Sequence, residues 1–87
     1  NSVGEATYDV VEVAKVLISL LSEKYPQITM NYYNIEKQED LTLENIAKAR
    51  NLLVLGGEVD INRCASLVLS DFRHGKIGKV TLDTLYE

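Results

Sequence analysis

ARNLLVLGGEVDINRCASLVLSDFRHGKIGKVTLD, residues Ala49 to Asp83, is the stretch whose reading decides the fold. It holds four of the five glycines and the only cysteine, phenylalanine and histidine, so the special positions of the chain are concentrated in it. Leu52-Leu53-Val54-Leu55 is a short apolar run, and Gly56-Gly57 stops it. Paired glycines accept positive φ without steric cost, which predicts a tight turn. Asp60 is then a good N-cap, because its carboxylate can accept from N–H groups of a first helical turn. Val59 and Cys64 stand where a hydrophobic staple would pair. Ile61, Cys64, Ala65, Val68 and Phe72 recur at helical spacing, and Asn62, Arg63, Ser66, Ser70 and Arg73 take the opposite face. Gly75 is the expected stop, with Arg73, His74 and Lys76 beside the negative end of the helix dipole. Ile77 to Leu82 reads as extended.

Upstream, Asn1 to Ala6 is expected to fray. Thr7 or Asp9 can cap a first helix, with Glu12 three residues after Asp9. Val10, Val13, Ala14, Leu17, Leu20 and Leu21 form one stripe, widened by Val11, Val16 and Ile18. A helix this apolar is expected at the centre of a small bundle. Pro26 ends it or begins the next helix. Gln27 to Ile35 is ambiguous: Ile28, Met30, Tyr32, Tyr33 and Ile35 approximate a strand alternation, whereas Pro26 at a first helical position favours a short helix. Glu36 to Asp40 reads as a polar loop. Thr42 caps a third helix with Leu41 and Ile46 as its staple, running to about Arg50 or Asn51. No internal repeat or sustained heptad is present, so no coiled coil is indicated.

The pattern Gly56-Gly57-Glu58-Val59-Asp60, then Arg63-Cys64-Ala65, then Asp71-Phe72-Arg73-His74-Gly75-Lys76-Ile77-Gly78-Lys79-Val80-Thr81-Leu82 resembles the C-terminal domain of ribosome-assembly GTPases of the circularly permuted YlqF/RbgA group. The order of upstream elements resembles that domain too, and favours the short helix at Gln27–Ile35. Three positions depart from the pattern: Asn51 where glycine is usual, Cys64 where alanine is usual, and Asp83 where glutamate is common. Asn also tolerates a left-handed backbone. The resemblance implies a parent whose GTPase domain, with its GTP and Mg, lies ahead of residue 1. It implies that this chain needs no cofactor and helps dock that domain on RNA of the large ribosomal subunit or its precursor, near ribosomal proteins.

Eighty-seven residues suggest a single domain, 1–87. The start, NSVGEATYD, has neither a positive n-region nor an apolar h-region, so no secretory signal is expected. The longest apolar run is four residues, too short to span a membrane. One cysteine cannot close an intramolecular disulfide, and a reducing compartment is expected, the cytoplasm or an organelle. One Cys and one His argue against a structural zinc site. The formal net charge of −4 argues against an indiscriminate nucleic-acid binder. Its distribution says more. Residues 1–45 carry three basic and eight acidic side chains, whereas residues 46–80 carry six basic and three acidic. Either the second half presents an attractive basic face, or the two halves offset each other by packing together.

No catalytic constellation is visible. The phosphate-cradling G-x-x-x-x-G-K-[ST] loop is absent, and Gly75-Lys76-Ile77-Gly78-Lys79 follows a helix rather than preceding one. His74 lacks a serine, cysteine or carboxylate placed by local spacing to make it a general base, and reads better as a helix-end cation or phosphate contact. Cys64 lies on an apolar face and reads as core. Tyr32-Tyr33 is either a stacking platform for bases or, as is favoured here, one ring in the core and one along the surface. The candidate RNA-binding residues are Arg63, Arg73, His74, Lys76 and Lys79, with Lys48 and Arg50 as weaker ones. Gly75 and Gly78 would let the backbone approach a ligand closely.

The expected fold is all-α, a small orthogonal bundle of about four helices with a short extended C-terminal segment. The expected function is non-catalytic docking of a GTP-binding parent on ribosomal RNA, as a monomer. The alternative is a protein-interaction or regulatory module in which Leu52–Leu55 and Tyr32-Tyr33 contact a partner or the parent's GTPase domain.

Overall fold

The structure is a computed structural model that describes residues 9–80. The possible cap Thr7, the lead-in before it, and Thr81, Leu82 and Asp83 lie outside the described residues. Among the described residues four helices follow one another: α1 (Val10–Lys24), α2 (Pro26–Tyr33), α3 (Leu43–Ala49) and α4 (Ile61–Arg73), with a single 3₁₀ turn at Gln38–Asp40. Among the described residues there is no strand, only one antiparallel bridge between Leu53 and Val59. The all-α expectation holds.

The helix starts are those the sequence signals. Asp9 Oδ1 accepts from the N–H groups of Val11 and Glu12 at 3.0 and 3.4 Å. Thr42 Oγ1 accepts from Asn45 N–H at 3.2 Å, and Asp60 Oδ1 from Arg63 N–H at 3.1 Å. Each bond satisfies a donor that has no partner within its own helix. The staple residues sit in or against the core: Leu41 and Ile46 are buried, and half-buried Val59 packs on the cluster that contains Cys64. Pro26 is the first residue of α2, where its missing N–H and fixed φ do no harm.

Three helix ends share one geometry. Asn34 (φ 59°), Asn51 (φ 59°) and Gly75 (φ 70°) turn left-handed, and the next N–H folds back on the helix. Ile35 donates to the Met30 carbonyl at 2.9 Å, Leu52 to Ala47 at 2.8 Å and Lys76 to Asp71 at 2.9 Å. This is the Schellman arrangement, which satisfies carbonyls left over at the C-terminus.

α1 is the central element and packs on each of the other three helices; α4 packs on α1 and α3. Its buried residues are Ala14, Leu17, Ile18 and Leu21, an arc of about 100°. Val13 and Val16, expected in or beside the stripe, are 40% and 59% exposed. The reason is angular: both lie beyond the edge of the arc that α4, α3 and α2 cover. Cys64, Ala65 and Val68 of α4, Leu43, Ile46 and Ala47 of α3, Leu41 and Ile77 complete the core with Tyr33.

Between His74 and Val80 the chain forms no strand. Ile77 is buried, and Gly78 (φ 141°) comes so close to α2 that a Cβ there would meet Ile28 Cγ2 at 2.9 Å. The close approach expected of Gly78 is therefore made to α2. Residues 76–80 fold back along the bundle, and this fixes where Lys76 and Lys79 emerge.

Candidate nucleic-acid interface

The outer face of α4 carries the site. Between Ile61 and Val80 the exposed positions are Asn62, Arg63, Ser66, Arg73, His74, Gly75, Lys76 and Lys79. Four of them are fixed cations and none is an acid. The one acid in that span, Asp71, is only 3% exposed. The surface is thus more basic than a count along the sequence suggests.

Asp71 faces inward, on the side of α4 that holds Cys64 and Val68, and its Oδ2 accepts from the Tyr33 hydroxyl at 2.9 Å. Burial first, and the Asp71 charge and hydrogen bond next, push the Tyr33 phenol well above its ordinary range; Arg50 opposes them. The Arg50 guanidinium carbon lies 5.1 Å from the ring centres of both Tyr32 and Tyr33, which meet edge to face at 4.8 Å. Arg50 Nη2 also donates to the Tyr32 carbonyl at 3.4 Å. Arg50 thus belongs to the fold of the α2–α3 corner, stabilised by its attraction to the ring faces. Tyr33 is fully buried and Tyr32 half-buried beneath Arg50, so the pair is no open stacking platform. Lys48 is exposed on α3.

The five candidate residues are all exposed, and four are brought together. Arg73 and His74 end α4, Lys76 follows its left-handed glycine, and Lys79 follows the turn anchored on Ile28. Arg63 stands at the other end, about 15 Å away at the rise of an α-helix. Eleven residues apart, Arg63 and His74 fall on nearly the same line of the helix surface. The candidates therefore form one cluster plus one outlying cation along a single face.

His74 has a partner that sequence spacing underrated. Ser70, one turn earlier, places its Oγ 3.3 Å from Nδ1, and the Ser70 carbonyl lies 2.8 Å from the same nitrogen. A carbonyl only accepts, so Nδ1 carries the proton and cannot take one from Ser70. This Ser–His pair is a helix-end clamp. Cys64 is buried, and its Sγ donates to the Leu43 carbonyl at 3.3 Å. Burial pushes its thiol up to about 11, with Arg50 opposing and Asp60 and Asp71 reinforcing, which keeps it protonated and inert at neutral pH. Among the described residues no group of three or more His, Cys, Asp or Glu is placed to hold a metal ion, and no helix is long and apolar enough to cross a membrane.

Sequence reasoning missed Asp71 as the organiser of this face. The signal was present: Asp71 keeps helical register with Cys64 and Val68, so a carboxylate was bound to fall on the apolar side and to need a donor there.

No family model matches the chain. Curated relatives do. Over 87 residues it is 30% identical to ribosome biogenesis GTPase A of Bacillus cereus, covering 97% of this chain and 29% of that protein. It is 32% identical over 86 residues to the protein of the same name from Priestia megaterium, covering 95% of this chain and 30% of that protein. A third, from Bacillus licheniformis, is 24% identical over 86 residues with the same coverage. The resemblance carried by the Gly56–Leu82 pattern is borne out by these relatives. The chain spans about three tenths of their length.

Proposed function

From a likeness to ribosome biogenesis GTPase A that covers nearly all of this chain but only part of those proteins, we propose that the chain is the non-catalytic C-terminal domain of a ribosome-assembly GTPase. It docks its parent on structured RNA of the large ribosomal subunit or its precursor, in the cytoplasm or an organelle. The GTPase chemistry, with GTP and Mg, belongs to the parent's other domain.

The single observation that carries this reading is the acid-free outer face of α4, with its sole carboxylate turned inward to Tyr33. Phosphates and 2′-hydroxyls call for such a surface of guanidinium, ammonium, amide and hydroxyl groups. Among the described residues no open aromatic platform accompanies it, which favours recognition of helical RNA by backbone charge and shape over stacking on splayed bases. The test is NMR titration of the labelled chain with large-subunit RNA fragments at two salt concentrations. Shifts centred on Arg73, His74, Lys76 and Lys79 that fade with salt are expected. Shifts elsewhere, or binding indifferent to salt, would remove this face from the function.

One observation favours a second reading, a protein-contact module. The turn after Leu52 holds its apolar side chains outward: Leu53 and Val54 are 40% and 44% exposed, and Leu55 is fully exposed. The turn is built to persist, since Val54 N–H donates to the Glu58 carbonyl at 2.8 Å and Gly57 N–H to Val54 at 3.0 Å. A salt-insensitive complex with a protein, abolished by Leu55→Asp, would select this reading.

A further inference from the structure

We propose that the acidic cleft between α1 and the start of α3 is the docking site for a lysine- and arginine-rich segment of a protein partner. The cleft measures about 800 Å³ and shares no residue with the basic face of α4. The inference therefore stands apart from the RNA reading.

The carboxylates of Glu23, Glu39 and Glu44 rim it, all three exposed and none in an ion pair among the described residues. Lys15 also lines the cleft but is already turned to Glu12, at 3.7 Å. Beneath the rim the floor is partly apolar, formed by half-buried Ile61 and the edges of the buried Ile18, Leu41 and Leu43. One bond ties the two walls together: Gln38 Nε2 donates to the Ser22 carbonyl at 2.7 Å. A cleft formed in advance avoids the cost of ordering on binding.

This combination selects its occupant. Lysine and arginine have methylene stems that lie on apolar surface and cationic heads that reach carboxylates. An RNA strand would meet three repelling charges. A divalent cation would find no group of ligands placed to hold it among the described residues. Repeated cations on a peptide match three separated glutamates, whose summed field also speeds encounter.

The test uses the labelled chain and a synthetic peptide of alternating lysine and leucine, with an equal charge of spermidine as the non-peptide cation. Amide shifts are expected at Ser19, Ser22, Gln38 and Thr42. Glu23→Gln/Glu39→Gln/Glu44→Gln should weaken the peptide roughly 10-fold, a few-fold for each exposed pair lost. Arg73→Glu/Lys76→Glu should leave peptide affinity unchanged, which separates this site from the RNA face. The proposal is overturned if the cleft residues do not shift, if the triple variant binds as the parent does, or if spermidine gives the same shifts at equal affinity.

Discussion

The Tyr33 hydroxyl donates to the Asp71 carboxylate at 2.9 Å inside the core, joining α2 to α4. Both side chains are shut away from water, with Tyr33 at 0% and Asp71 at 3% exposure. The bond does two things at once. It satisfies a carboxylate that the register of α4 forces inward, and it keeps a negative charge off the face that carries Arg73 and Lys76.

Tyr33→Phe removes the donor and leaves the carboxylate buried. The expected loss is about 2 kcal/mol, within the range for stranding a charged acceptor. Urea unfolding should show a lower midpoint at unchanged slope. A Tyr33→Phe protein as stable as the parent would mean that Asp71 reaches another donor.

Alkaline stability follows from the same corner of the core. Burial raises the Tyr33 phenol above its usual range and the Cys64 thiol from 9.0 to about 11. In both cases the native state holds the proton more tightly than the unfolded chain does. Above about pH 9 the unfolded state releases protons first, so stability is intact below that pH and falls as pH rises through the native values. Cys64→Ala should flatten the decline between about pH 9 and 11. Because alanine is a smaller core residue, it should otherwise cost only about 1 kcal/mol at neutral pH. Denaturant melts across that range measure it, and an unchanged slope would refute the assignment.

Much of the fold is legible locally because caps and stops are made by neighbours in sequence. Asp9, Thr42, Asp60 and Gly75 act where their spacing places them. Asn51, standing where glycine is usual in the resembled pattern, adopts the left-handed φ that glycine would supply. Asn51→Ala should therefore destabilise by about 1 kcal/mol and Asn51→Gly by a few tenths at most, since a Cβ is strained there and asparagine tolerates the strain best. What was not legible depends on which helix covers which arc. Val13 and Val16 are apolar yet exposed, Arg50 is basic yet seated on two tyrosines, and Asp71 is acidic yet buried. Composition cannot separate such cases, because each is decided by a partner far along the chain.

The salt dependence of RNA binding offers the most direct reading of the basic face. Each phosphate neutralised contributes roughly 0.7–0.9 to the slope of log affinity against log salt. Arg73→Glu/Lys76→Glu should lower that slope by about 1–2 and weaken binding uniformly across RNA sequences. The fold should be retained, since both side chains are exposed. Arg63→Ala separates two footprints. Arg63 lies about 15 Å from Arg73 along α4, so RNA that follows the whole helix should lose about one further contact's worth of slope. RNA that engages only the helix end and the Lys76–Lys79 turn should leave the slope unaltered. Anisotropy titrations of a labelled RNA hairpin at a series of salt concentrations measure both variants. A slope unchanged by Arg73→Glu/Lys76→Glu would move the RNA, if bound at all, off this face.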